Sequence, residues 1–274
     1  MLLKSPHNRI LSRAKNPAVM GILNVGTESF SDGGKYASPA AAAARAVEMA
    51  EQGADIIDVG AESTKPSAQK ISAREELEIL MPRLKAVRAA VGGGLPISVD
   101  TYKPEVAEAA IESGADIIND VYAMRENGRY PMAETAARLR APLILTHSCR
   151  GEPPSGDFWD FFLAGMRERL ESALSAGLGR SNIVLDAGIG FGKTTRQNFL
   201  LVKKMGELRE LGCPTLLGVS RKSMFAEVAG DSFALRDAAT LAVSVYAAAA
   251  NSCDILRVHD VASTVAALKT LSLL

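Results

Sequence analysis

The sequence predicts a single-domain α/β protein, a TIM (β/α)8 barrel, on three observations. Short runs rich in Val, Ile and Leu alternate with longer Ala/Glu/Arg/Leu segments whose apolar residues recur three and four apart, the pattern of strand followed by amphipathic helix. The strand runs are almost continuously apolar, as in a parallel sheet covered on both faces. The chain has 274 residues with no Ser/Pro/Gly-rich linker, which suits one barrel domain. An open, doubly wound sheet is the competing arrangement.

In order, residues 1–18 read as an N-terminal segment and 19–274 as the barrel. Strand 19–25 precedes helix 39–52, and strand 55–60 precedes helix 72–91. Strands 97–100, 116–121 and 143–147 precede helices 104–113, 131–140 and 158–176. Strand 183–186 precedes helix 195–211, strand 215–219 precedes a short helix and 235–250, and strand 255–258 precedes 262–271. Gly53-Ala54, Gly114-Ala115 and Gly212-Cys213 mark the returns from helix to strand.

Lys and Arg together number 31, as do Asp and Glu, so no charge excess points to nucleic acid or a membrane surface, and the expected partner is a small molecule. Cys149, Cys213 and Cys253 are odd in number and without C-x-x-C pairing, which argues against a disulfide framework or a zinc site and fits a cytoplasmic setting. The first twenty residues carry Lys4, Arg9, Arg13 and Lys15 and no acid but lack a secretory apolar core. They read as a mature N-terminal segment. No apolar run reaches the ~20 residues of a membrane helix.

In a barrel of this kind the functional groups lie just past the strand ends. Those positions hold Asn24; Asp58, Glu62, Ser63 and Thr64; Asp100; Asn119 and Asp120; His147; Asp186; Ser220, Arg221 and Lys222; and Arg257, His259 and Asp260. Any one of them has an ordinary use as a helix cap. All eight strands together are harder to explain that way. The segment from Asn182 to Lys193 is the most distinctive: an apolar strand ends in Asp186, then Gly188, Gly190 and Gly192 precede a lysine. Such glycines permit positive φ and close approach of a ligand to bare backbone. A P-loop, G-x-x-x-x-G-K-[ST], is the rival reading and is missed by one residue, Ala187. A purely structural turn leaves the bracketing Asp186 and Lys193 unexplained.

Arg257 and His259 lie two apart on strand eight, next to strand one and Asn24, a pair suited to diphosphate, where Asn24 can give an oxygen to Mg²⁺; the alternative is that Arg257 merely pairs with Asp260 or a helix end. Asp100, Asn119 and Asp186 offer acceptors that suit a flat heterocycle bearing several N–H donors. Lys222 can meet a ring carbonyl or nitrogen. The two carboxylates can instead share a metal, although no His/Asp/Glu cluster has ligand spacing. Cys149 lies two residues beyond His147 with nothing to mark an activated thiolate, so covalent catalysis is not expected.

Met20-Gly-Ile-Leu-Asn-Val25, Ser29-Phe-Ser-Asp-Gly-Gly34, Asp58-Val-Gly60, Glu62-Ser-Thr-Lys-Pro66, Ser98-Val-Asp-Thr101, Ile118-Asn-Asp120, Asp186 to Lys193, Gly218-Val-Ser-Arg-Lys-Ser223 and Arg257-Val-His-Asp260 follow one another in this order. The set closely resembles dihydropteroate synthase and spans nearly the whole chain. The resemblance implies a TIM barrel that joins 6-hydroxymethyl-7,8-dihydropterin diphosphate to p-aminobenzoate. It releases diphosphate and gives 7,8-dihydropteroate for folate biosynthesis. It further implies that Asp100, Asn119, Asp186 and Lys222 bind the pterin, with Phe191 and Arg221 near the ring. Asn24 would hold Mg²⁺ and diphosphate, while Arg257, His259 and Thr64 would bind the phosphates. Ser220, Thr64, Lys65 and Pro66 would border the p-aminobenzoate pocket. Asp100, Asp186, Lys222, Arg257 and His259 make up the implied catalytic set, and a homodimer is implied on the same ground.

The chain departs from the family pattern at Gly26-Thr27-Glu28, at Lys65-Pro66-Ser67, at Ser148 in place of a common methionine and at Ala187 in place of proline. Lys65 supplies charge without the planar fork of the usual arginine. Two other functions compete: a barrel that presents methyltetrahydrofolate to a corrinoid partner, and a paralogue that binds pterin without catalysis.

Overall fold

The computed structural model describes residues 16–26, 34, 36–63, 69–149 and 157–274. Eight strands form a closed barrel in chain order: β1 (Ala18–Asn24), β2 (Ile56–Gly60), β3 (Ile97–Asp100), β4 (Ile117–Asp120), β5 (Leu143–Thr146), β6 (Ile183–Asp186), β7 (Thr215–Leu217) and β8 (Ile255–Val258). Every neighbouring pair is parallel, and β8 returns to β1 with Met20 opposite Arg257, so the open sheet is excluded.

The helices between strands are α1 (Pro39–Glu51), α2 (Ala73–Val91), α3 (Pro104–Glu112), α4 (Pro131–Leu139), α5 (Phe158–Ser175), α6 (Thr195–Lys204), the short α7 (Ala226–Ala229), α8 (Phe233–Ala249) and α9 (Val261–Leu271). Their starts are chemically marked. Ser72 and Glu75 form a reciprocal capping box, Thr194 and Gln197 another, and Asp157 accepts from the first-turn N–H groups of Trp159 and Asp160. The expected helix 195–211 divides: α6 stops at Lys204 and the chain continues as a 3-10 helix, Met205–Leu211. Gly206, one of the weakest helix formers, falls at that junction.

Period-two alternation decides which strand residues face the barrel axis. Ala18, Met20, Ile56, Ile117, Ile144, Val184, Leu216 and Ile255 form one buried apolar cluster, the floor of the barrel interior. Counting forward in twos from this floor assigns the mouth residues of the strands it contains, and on β3 Ser98 and Asp100 take the inward parity because Ile97 and Val99 pack outward. The other parity packs outward against the helices in the larger core.

Below the floor, one aspartate device recurs. Asp55 donates its backbone N–H to the Val19 carbonyl at 2.8 Å and accepts the Val19 N–H on its carboxylate at 3.0 Å. Asp116 does the same with Ile97, at 2.7 and 2.8 Å, and Asp254 with Thr215, at 2.9 and 2.8 Å. Each aspartate thus locks the start of the neighbouring strand and pins its register. Asp254 also pairs with Arg209 at 2.6 Å. Asp254→Ala is therefore expected to cost about 1–3 kcal/mol in urea unfolding, since it strands a strand-end N–H. Glu207→Ala, which removes only a surface partner of Lys204, should change stability by about 0.5 kcal/mol or less.

Candidate active site

The mouth of the barrel is built from inward-facing strand ends. Asp58, Asp100, Asn119, Thr146 and Asp186 reach it from β2 to β6, and all five are buried. Asn24 is the inward residue at the end of β1, and Arg257 enters from β8. Gly60 and Gly218 stand at inward positions with no side chain; a Cβ at Gly60 would lie 3.1 Å from that of Asp100. The mouth is thus polar and left open on two strands.

Arg257 is held between two carboxylates. Its Nε donates to Asp58 Oδ2 at 2.6 Å and its Nη2 to Asp100 Oδ2 at 2.6 Å. Asn119 Nδ2 donates to the same Asp58 oxygen at 3.1 Å. Among the described residues, Asp58 Oδ1, Asp100 Oδ1, Asn119 Oδ1, Ser98 Oγ and Thr146 Oγ1 are buried without a hydrogen-bond partner. Burying acceptors unpaired is costly, and three carbonyl-type oxygens gathered in one mouth point to a ligand that brings donors.

Burial raises the Asp100 pKa to about 7 against the pull of Arg257, with Asp58 adding to the rise. Asp186 is likewise raised by burial, opposed first by Lys222. Its carboxylate also accepts the Gly188 N–H at 2.8 Å. Burial lowers Lys222 to about 8, opposed by Asp186. For Arg257 burial works against the charge, but Asp58 and Asp100 outweigh it and hold the group above the usual arginine value. Lys222 Nζ lies 4.5 Å from the Phe191 ring centroid and donates to the Ile189 carbonyl. Tyr122 meets Phe191 edge-on at 6.3 Å and Tyr102 meets Tyr122 at 4.9 Å, an aromatic row along one side.

The glycine loop after β6 has the expected backbone, with φ of 64°, 81° and 66° at Gly188, Gly190 and Gly192. At Gly188 a Cβ would lie 1.9 Å from the His147 carbonyl oxygen, so only glycine fits. Lys193, however, overturns the reading that structure alone cannot explain this bracket. Its Nζ donates to the carbonyls of His147 at 2.7 Å, Gly188 at 2.7 Å and Phe191 at 3.3 Å. The lysine staples the loop to the end of β5. Its ammonium is used up on backbone, which also removes the P-loop reading.

Other strand-end residues divide between mouth and scaffold. Ser220 Oγ is 2.8 Å from His259 Nδ1 and accepts the His259 backbone N–H at 3.1 Å, so these two residues are brought together. Arg221 has its guanidinium held by Asp237 of α8 at 2.7 and 2.8 Å. Asp120, on the outward parity of β4, accepts from Tyr122, Ala123 and Tyr130. His147 also faces outward, 4.6 Å from the Phe162 ring, and burial lowers its pKa to about 2, with Lys193 adding to the effect. Thr146, absent from the rim deduced from sequence, is the residue β5 gives the mouth. Asp260 caps α9. Glu62 and Glu76 both pair with Lys103, and Tyr102 donates to Glu62 at 2.8 Å, fixing Glu62 just past β2. Ser148 Oγ donates to the Tyr122 carbonyl at 2.9 Å, a tie that methionine cannot make. Thr64, Lys65 and Pro66 lie outside the described residues.

The fold and this mouth of buried acceptors beside Arg257 and Lys222 define a (β/α)8-barrel protein with a polar small-molecule site, and the profile of a family described as "Pterin binding enzyme" matches residues 20–259. The chain belongs to this family, within the dihydropteroate synthases. A dihydropteroate synthase of Streptococcus pyogenes serotype M3 is 43% identical over 251 residues, covering 90% of this chain and 91% of its own. The Xanthomonas albilineans dihydropteroate synthase solved with 4-aminobenzoic acid superposes with a TM-score of 0.85 at 40% identity, covering 94% of this chain and 93% of that one. The same enzyme solved with 7,8-dihydropteroate gives a TM-score of 0.79 at 37% identity, over 94% and 92% of the two chains.

Proposed function

We propose that the chain is a transferase that condenses 6-hydroxymethyl-7,8-dihydropterin diphosphate with p-aminobenzoate, giving 7,8-dihydropteroate and diphosphate for folate biosynthesis. The observation that carries the reading is the pair of orphaned acceptor oxygens, Asp100 Oδ1 and Asn119 Oδ1, in a buried mouth. A dihydropterin presents ring N–H and amino donors along one edge and matches such a set. In this reading the ring donates to Asp100, Asn119 and Asp186. Lys222 meets its carbonyl or a ring nitrogen, and Phe191 packs beside it.

Arg257 spends two N–H groups on Asp58 and Asp100, and a guanidinium offers five donors. The remainder, with His259, Thr64 and Asn24, receive the diphosphate. The C–O bond to diphosphate breaks as its charge is taken up by these groups, and the bound ring's methylene becomes cationic. Asp100 and Asp186 stabilise that cation across the ring. The uncharged amine of p-aminobenzoate, bordered by Ser220, Thr64, Lys65 and Pro66, forms the C–N bond and loses its proton to solvent. No strong base is needed. Arg221, its guanidinium oriented by Asp237, lies near the pterin ring in this reading.

Mg²⁺ belongs to the same proposal. Asn24 offers one amide oxygen at the inward end of β1, beside β8, and Mg²⁺ accepts few protein ligands when phosphate oxygens and waters complete its shell. Bound there with diphosphate, it would neutralise charge on the leaving group. In calorimetry without turnover, Mg²⁺ should tighten diphosphate binding to the native protein and lose that effect in Asn24→Ala. Equal enhancement in both proteins would remove Asn24 from the metal.

A cytoplasmic homodimer completes the reading. The three cysteines are free, and no described helix is long and apolar enough to cross a membrane. Leu235 and Tyr246, three turns apart on one side of α8, are 55% and 51% exposed and give a second copy of the chain apolar surface to cover. The ring reading itself is tested by titrating the protein with 6-hydroxymethylpterin, without diphosphate or second substrate. Saturable binding is expected, and no binding would contradict it.

A further inference from the structure

We propose that Asp58 is the positioning residue that sets what the site recognises, acting through Asn119 on the ring and through Arg257 on the anion. The inference rests on the pterin and diphosphate reading of the mouth. Asp58 is buried inside β2, and one of its oxygens, Oδ2, takes both the Arg257 Nε–H at 2.6 Å and the Asn119 Nδ2–H at 3.1 Å. A carboxylate paired with a guanidinium only accepts hydrogen bonds. Flipping the Asn119 amide would set its oxygen against Asp58 Oδ2 at the same 3.1 Å, with no proton between them. Asp58 therefore fixes the amide in one sense and obliges Asn119 to turn Oδ1 to the mouth, where it is buried and unpartnered.

Without that constraint Asn119 could present either a donor or an acceptor. With it, Asn119 always presents its acceptor oxygen on the side away from Asp58, in concert with Asp100 Oδ1. The same Asp58 oxygen locks the Nε edge of Arg257, while Asp100 takes Nη2, so the guanidinium plane is set before an anion arrives. Ring recognition and anion binding thus share one atom. Asp58 needs to touch neither substrate to do this.

The test uses the full-length protein with ¹⁵N-labelled Asn and Arg side chains. In the native protein without ligand, the Asn119 amide and the Arg257 Nε–H should give shifted, slowly exchanging signals; ordinary fast-exchanging signals would overturn the proposal. In Asp58→Asn both should move to ordinary exchange, and affinity for 6-hydroxymethylpterin should fall about tenfold as Asn119 loses its fixed sense. In an Asn119→Ala background, Asp58→Asn should cost less than about threefold more, because its route to the ring is already gone. Unchanged ring affinity in folded Asp58→Asn, or losses that multiply in the double variant, would overturn the proposal. If Asp58→Asn fails to fold, the native signals decide. If the native protein binds no pterin, the ring reading fails separately, and the ligand-free signals still decide whether Asp58 orders Asn119 and Arg257.

Discussion

Arg257→Ala is expected to be the most damaging single substitution in the mouth, with losses in both ligand binding and stability. Affinity for the pterin diphosphate should fall at least tenfold more than affinity for the pterin alcohol, because only the former makes charge-assisted bonds to the guanidinium. Calorimetry with the two ligands measures the difference, and equal losses would count against the anion role. The stability loss has a separate cause. Asp58 and Asp100 would keep their buried carboxylates with no cation between them, and breaking such a pair costs about 3–5 kcal/mol.

That cost has a definite sign with pH. Burial already raises Asp100 from 3.8 to about 7, and removing Arg257 takes away the opposing pull. A carboxylate whose pKa is raised in the folded state penalises folding above the folded value, and the penalty vanishes as pH falls toward the unfolded value. The stability gap between Arg257→Ala and the native protein should therefore be widest near pH 8 and narrow toward pH 5. A gap that widened on acidification would show that the arginine is not offsetting buried carboxylates.

Asp186→Asn separates recognition from stability in a different way. The carboxylate accepts the Gly188 N–H at 2.8 Å, and an amide oxygen can keep that bond. The amide nitrogen then turns a donor toward ring donors, and the mismatch should weaken pterin binding by about 1–3 kcal/mol. Folding stability at pH 8 should hold or rise slightly, since burial disfavours the native charge. Unchanged pterin affinity would sink the assignment of Asp186. Loss of affinity together with a large fall in stability would mean that the loop after β6 had collapsed instead.

The barrel was legible because each unit repeats two strong periods. The expected strands 97–100, 183–186 and 255–258 coincide with β3, β6 and β8, and other element ends differ by one or two residues where caps such as Ser72 lie just outside the helix. The division after Lys204 followed from one glycine in an otherwise helical pattern, a weak signal in sequence. In the mouth, residue types at strand ends were readable, but partners were not. Nothing local to Arg257 says that Asp58, 199 positions away, will hold it. The period-two count from Ile56 does place Asp58 inward, and that signal was available. The same count, applied to β5, would have chosen Thr146 over His147. Lys193 misled because a lysine after glycines suggests an anion, whereas here three backbone carbonyls consume it. The Ser220–His259 contact joins neighbouring strands β7 and β8 and becomes visible only when their register is known.

Turnover tests the central claim most directly. Purified protein should be mixed with 6-hydroxymethyl-7,8-dihydropterin diphosphate, p-aminobenzoate and Mg²⁺, and both dihydropteroate and diphosphate followed. Formation of the two products in equal amounts, dependent on p-aminobenzoate and reduced at least a hundredfold in Arg257→Ala, about 2.7 kcal/mol of transition-state stabilisation, is the expected result. Tight pterin binding with neither product formed would contradict the account and leave a pterin-binding protein without this catalysis.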